Sequence, residues 1–101
     1  MQEQVKKAME TYSLTGGIEV RYLDLMSELG ELGKEILKGT NYGKEAYSPH
    51  EKSREEMGDC LFSLLALCCE MKIDAREALD CALRKYRERY DRNGSIGSGD
   101  C

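Results

Sequence analysis

Four stretches in which apolar residues recur at intervals of three and four, a single proline in 101 residues, and glycines where those stretches stop together predict an all-α fold. No segment shows the alternation of a strand, and no internal repeat is visible. The expected subunit is a four-helix, bundle-like domain over residues 1–92, followed by a glycine- and serine-rich tail, NGSIGSGDC, at 93–101. A chain this short buries only a modest core, so association of copies is expected.

The first helix is expected over residues 2–13, where Val5, Ala8, Met9 and Tyr12 mark one face, with Gly16 and Gly17 ending it. A second runs from Ile18 to Lys38 on the stripe Ile18, Tyr22, Leu25, Leu29, Leu32 and Ile36, and stops at Gly39. The segment GTNYGKEAY, from Gly39 to Tyr47, reads as a loop, with Gly39 and Gly43 as candidate hinges of a lid over a ligand. Ser48, Pro49 and Glu51 supply a cap, a first-turn proline and the acid of a capping box, so a third helix is expected from there to about Met71. Its second half, CLFSLLALCCEM, is apolar nearly all round and suits a central helix or a subunit interface. Asp74 and Glu77 form another capping box, starting a fourth helix whose buried face is expected to be Leu79, Ala82, Leu83, Tyr86 and Tyr90.

Charged residues make up 34% of the chain beside a single proline, which suits a helical, soluble protein and argues against both disorder and an all-β fold, and the net charge of −4 points away from a nucleic-acid backbone as partner. No run approaches the length of a membrane span, and MQEQVKKAMETY lacks the apolar core of a signal peptide. A cytoplasmic protein without membrane contact is expected. The five cysteines show no C-x-x-C spacing, and Cys60, Cys68, Cys69 and Cys81 fall on apolar helical positions as small buried hydrophobes.

Chemistry enters with two matched pairs of acids, Glu28 with Glu31 and Glu56 with Asp59. Each pair is three residues apart and projects from one helical face. At about 100° per residue, Asp24, Glu31 and Glu35 fall within about 60° of Glu28 and border the apolar stripe of the second helix. On the third helix, Lys52, Glu56, Asp59 and Ser63 share a face, while nearly every other direction after Asp59 is apolar. Both sets of carboxylates therefore look inward, where uncompensated anions are strongly destabilising. A divalent cation between the pairs removes that penalty. Oxygen ligands without histidine or thiolate select Mg²⁺, or Mn²⁺, over zinc. His50, the single histidine, reads as a surface residue at a helix start.

The pattern E-x-x-E, a spacer of 24 residues, then E-x-x-D resembles the MazG-type, all-α nucleoside triphosphate pyrophosphohydrolases. LMSELGELGKEILKG resembles that family's first motif helix, and REEMGDCLFSLLALCCEMKIDAREALDCALRKYRERY its second motif helix, turn and last helix, so about residues 20 to 90 are covered. The resemblance implies a helical subunit in a homodimer or a dimer of dimers (homotetramer), with Mg²⁺ held by Glu28, Glu31, Glu56 and Asp59. It implies hydrolysis of a nucleoside triphosphate to the monophosphate and pyrophosphate, often to clear modified or surplus nucleotides. It also places Lys52, Lys85 and Arg89 near the triphosphate; Lys85 and Arg89, four apart, share a face. One departure is Ser27, where many members carry an additional acid.

The expected reaction is attack of a water on the α-phosphorus, with Glu31 or Glu35 accepting its proton. Tyr12, Tyr42 and Tyr47 are the aromatic side chains available to stack on a base. The rival readings are a phosphoribosyl-ATP pyrophosphohydrolase and a non-catalytic helical interaction or regulatory module whose acidic ridge meets a basic partner.

Overall fold

The computed structural model describes residues 1–14, 16–49 and 51–94, and every regular element among them is helical. The helices are α1 (Gln2–Thr11), α2 (Ile18–Gly39), α3 (Glu51–Glu70) and α4 (Ala75–Asn93). The readings of His50, Cys101 and the tail beyond Gly94 fall outside the described residues.

Local chemistry accounts for the boundaries. Helix α1 stops at Thr11, two residues early, because Ser13 takes a left-handed φ of 56° and Leu14 N–H then bonds back to Met9 O at 2.8 Å. Helix α3 begins at Glu51, so Ser48 and Pro49 precede the helix instead of opening it. Ser48 is already engaged: its N–H donates to Gly39 O at 2.9 Å and pins the loop to the end of α2. Within that loop Thr40 Oγ1 accepts from Gly43 N–H at 3.0 Å, and Asn41, Tyr42 and Gly43 are all left-handed. The Tyr47 ring lies close over Gly39, and a Cβ there, 2.8 Å from the ring, would push it aside. Helix α4 is capped as expected at its start, where the Asp74 carboxylate accepts from Glu77 N–H at 3.0 Å, and Gly94 ends it in the left-handed region.

Helices α2 and α3 pack along their length as a hairpin, and α1 lies on α3. Val5 and Met9 of α1 meet Leu65 and Ala66 of α3, with Leu14, Phe62, Cys69 and Ala75 packed around them. A side-chain clamp joins α1 to the α3–α4 turn: Gln2 Nε2 donates to Ile73 O at 2.8 Å, and Gln2 Oε1 accepts from Ala75 N–H at 2.7 Å. The α2–α3 seam is different in kind, because its buried members are mostly polar: Arg21 and Glu35 from α2, Ser53, Glu56 and Cys60 from α3.

Helix α4 corrects the sequence-based expectation. It makes only slight contact with the other helices, and Leu79, Leu83, Tyr86 and Tyr90, expected to be buried, are exposed. Leu65 and Ala66 of α3 are covered by α1 instead. Cys81 is exposed with them, whereas Cys60 is buried and Cys68 and Cys69 are half-buried. The stripe on α2 is likewise only partly covered, since Ile18, Tyr22, Leu29 and Ile36 remain exposed beside Met57, Leu61 and Leu64 of α3. The accessible surface is 7713 Å², against about 5,800 Å² for a folded monomer of this mass. The radius of gyration, 16.7 Å, likewise exceeds the roughly 13 Å of a compact 100-residue domain.

The clamp at Gln2 serves two backbone groups at once. Gln2→Ala should lower stability by about 1–2 kcal/mol, measured as a reduced urea midpoint at fixed protein concentration with unchanged m-value.

Candidate metal centre

Glu28 projects from the middle of α2 toward α3, and Glu56 and Asp59 project from the first half of α3 toward it. Each offers a carboxylate oxygen within 4.8 Å of the others'. Glu56 is buried, Glu28 half-buried and Asp59 exposed, so the cluster has a closed floor and an open side. Burial raises the Glu28 pKa above its usual value, and the negative charges of Asp59, Glu56, Glu31 and Asp24 raise it further. The Cys60 thiol, one residue beyond Asp59, is pushed up by burial and then by the same three carboxylates.

Glu31 is not part of the convergent trio. It points to a more exposed position, 4.0 Å from Lys34 Nζ, but is near enough to Glu28 to disfavour its charge. Glu35, a turn further along, is buried and lies 3.4 Å from Lys38 Nζ. Lys52 approaches from solvent, with its Nζ 3.6 Å from both Glu55 Oε2 and Glu56 Oε1; the Glu55 charge, then that of Glu56, holds its pKa up.

Lys85 is exposed and Arg89 is buried, both on α4, which makes only slight contact with α2 and α3 and does not bring them into the carboxylate trio. Both cations approach one ring: Lys85 Nζ is 5.3 Å and the Arg89 guanidinium carbon 5.9 Å from the centroid of Tyr86. Of the three tyrosines, Tyr12 and Tyr42 are well exposed, while Tyr47 lines a groove of about 700 Å³ with Leu32, Ile36, Ser53, Arg54 and Met57.

One participant escaped the sequence reading. Arg21 is buried at the seam and its guanidinium lies 3.0 Å from Asp24, while its Nε has no hydrogen-bond partner among the described residues. The signal was present in the spacing, since Arg21, Asp24 and Glu28 are separated by three and four and share a helical face.

The donor set fits a hard divalent cation. Ligand oxygens 2.0–2.1 Å from an octahedral Mg²⁺ lie roughly 3 to 4 Å apart, so three oxygens within 4.8 Å need only a small contraction. The raised proton affinity of Glu28 has the same cause that would favour a cation there: excess negative charge at a partly desolvated position.

The sequence around the carboxylate trio has counterparts. A model of the MazG nucleotide pyrophosphohydrolase domain matches residues 19–93, which include all three acids. The chain is 34% identical over 80 residues to dCTP pyrophosphatase 1 of Bos taurus, covering 75% of this chain and 47% of that protein. It is 37% identical over 68 residues to the uncharacterized protein YpjD of Bacillus subtilis strain 168, covering 64% of this chain and 60% of that one. The chain thus spans about half to three-fifths of the length of these relatives. No solved structure matches it. With three-quarters of its residues inside the family match, and the convergent acids among them, the chain belongs to the MazG nucleotide pyrophosphohydrolase domain family.

Proposed function

We propose that the protein hydrolyses a nucleoside triphosphate, ribo- or deoxyribo-, to the monophosphate and pyrophosphate with Mg²⁺, or Mn²⁺, at the carboxylate cluster. The observation that carries this reading is the convergence of Glu28, Glu56 and Asp59 within a segment matching a pyrophosphohydrolase domain. The name of the bovine relative, a dCTP pyrophosphatase, supports a nucleoside triphosphate as the substrate class. The exposed apolar faces and excess surface support a homodimer or homotetramer as the working form. Among the described residues no helix is long and apolar enough to cross a membrane, which accords with action on a cytoplasmic nucleotide pool.

When bound, a hard divalent cation supplies charge neutralisation for polyphosphate oxygens and a more acidic water. Glu28, Glu56 and Asp59 would hold it, and Glu31, outside the convergent trio, would have to move to join them. Glu31 is also the better placed of the two candidate proton acceptors, because it is open to solvent and only loosely approached by Lys34. Glu35 is buried beside Lys38 and serves better to fix the helix than to exchange protons with water. Lys52, exposed at the edge of the cluster, is free to swing from Glu55 to a phosphate oxygen. On attack at the α-phosphorus, Lys52 would offset part of the charge on the departing pyrophosphate.

Glu56→Gln should reduce pyrophosphate release by about a hundredfold or more while leaving the helical circular dichroism intact. An active variant overturns the assignment. The same assay, run over triphosphates and phosphoribosyl-ATP, should give monophosphate and pyrophosphate; release of phosphate instead refutes attack at the α-phosphorus.

Mg²⁺ should also raise thermal stability, by roughly 3 kcal/mol at a hundredfold excess over its dissociation constant. The pH dependence follows from Glu28, whose pKa in the folded state lies above its ordinary value of 4.5. The folded, metal-free protein binds that proton more tightly than the unfolded chain, so this contribution to stability is present at acid pH and is lost as pH rises through the raised pKa. The Mg²⁺-induced rise in melting temperature should follow the opposite course, growing as Glu28 ionises; a rise independent of pH contradicts ligation by Glu28.

A further inference from the structure

Lys34, Lys38 and Lys52 pair with acids of the α2–α3 hairpin, and in each pair the cation stands in solvent, its side chain more than half exposed. Arg21 reverses the arrangement. Its side chain is only 11% exposed, and the acid it holds, Asp24, is the open partner at 52%. A guanidinium taken out of water is costly unless its donors are used, yet Arg21 Nε has no hydrogen-bond partner among the described residues. The burial therefore does little for Arg21 itself. It fixes a planar, rigid donor at one place on the seam, where an exposed lysine would move freely. The Asp24 carboxylate, with Oδ2 3.0 Å from Arg21 Nη2, is fixed with it.

The place so fixed is beside the carboxylate cluster. Arg21 leans along α2 toward Glu28, because its partner lies three residues on in that direction, and Asp24 precedes Glu28 by four on the same helical face. Asp24 is not among the acids whose oxygens converge. After burial and the charges of Asp59, Glu56 and Glu31, its charge nevertheless adds to what raises the Glu28 pKa. A hard divalent cation held by a few carboxylates keeps several of its waters, and acceptors around such a site orient what the ligands hold. An exposed but immobilised carboxylate one turn from Glu28 suits that task.

We infer that Arg21 is a positioning residue: it fixes Asp24 to accept a hydrogen bond from a water of the cation held by Glu28, Glu56 and Asp59. Arg21 acts only through Asp24. The inference rests on the cation reading of the cluster proposed above. It carries a sign that charge alone does not give. A positive charge near a cation site opposes binding, so removing Arg21 should tighten the cation if Coulomb repulsion is its whole effect. Loss of positioning weakens it instead.

Mn²⁺ affinity, read from the paramagnetic resonance of the free ion in a titration of the full chain, decides between these signs. Asp24→Asn should weaken binding about tenfold. Arg21→Gln should weaken it by a similar factor although a positive charge is lost, and Arg21→Lys should recover part of that loss. In the Asp24→Asn background, Arg21→Gln should cost nothing further, because the group it positions is gone. Unchanged or tighter binding by Arg21→Gln overturns the inference. So does a second, equal loss in the Asp24→Asn background, which is the mark of general damage to the seam. Should Arg21→Gln unfold the chain, the charge-conserving Arg21→Lys and Asp24→Glu decide: each should weaken binding severalfold, and wild-type affinity in both overturns the inference. A wild-type protein that binds no Mn²⁺ overturns the cation reading and this inference with it; one that binds while the variants depart from the pattern overturns the inference alone.

Discussion

The mutual repulsion of Glu28, Glu56 and Asp59 across the α2–α3 seam is the constraint on which the rest of the structure depends. Two helices are pressed together along a line where the buried groups are charged or polar, and three carboxylates share a space no wider than 4.8 Å. Such a seam is expensive without a counter-charge. The chain surrounds it with partial compensation: Arg21 on Asp24 at one end, Lys38 on Glu35 at the other, Lys52 on Glu56 from solvent. None of these cations occupies the centre. The arrangement therefore leaves an acidic cluster between the helices at a cost to the stability of the fold, the pattern expected where function opposes stability.

Holding that centre open requires the hairpin to keep its register. The loop between α2 and α3 does this with backbone bonds from Ser48 to Gly39 and from Glu45 to Thr40, and with the Tyr47 ring laid against Gly39. Helix α1 supports the far end, where its small apolar contact with Leu65 and Ala66 is reinforced by the Gln2 clamp on the start of α4. The core so formed is small, and apolar faces of α2, α3 and α4 are left uncovered.

Much of this was legible in the sequence because it is local. The four helices, the Asp74 cap and the shared face of each carboxylate pair follow from periodicity and short-range hydrogen bonding, and appear within a residue or two of where they were expected. The start of α3 was misplaced because Ser48 bonds to Gly39, nine residues earlier, and a long-range bond leaves no trace in a capping motif. Arg21 was overlooked for a related reason: its spacing to Asp24 and Glu28 was readable, but its burial was not.

The sequence by itself determined the helices and the shared helical face of each carboxylate pair, since each depends on neighbours one helical turn apart; the inward direction expected for all these acids holds for Glu35 and Glu56, while Glu28 is half-buried and Asp24, Glu31 and Asp59 are exposed. Tertiary structure alone decided that Glu28, Glu56 and Asp59 converge while Glu31 stands aside, and that Leu79, Leu83, Tyr86 and Tyr90 face outward. Periodicity says which residues share a face; it cannot say what that face meets. Only the packing of α1 on α3, which leaves α4 without a surface in its own chain, answers that for the last helix.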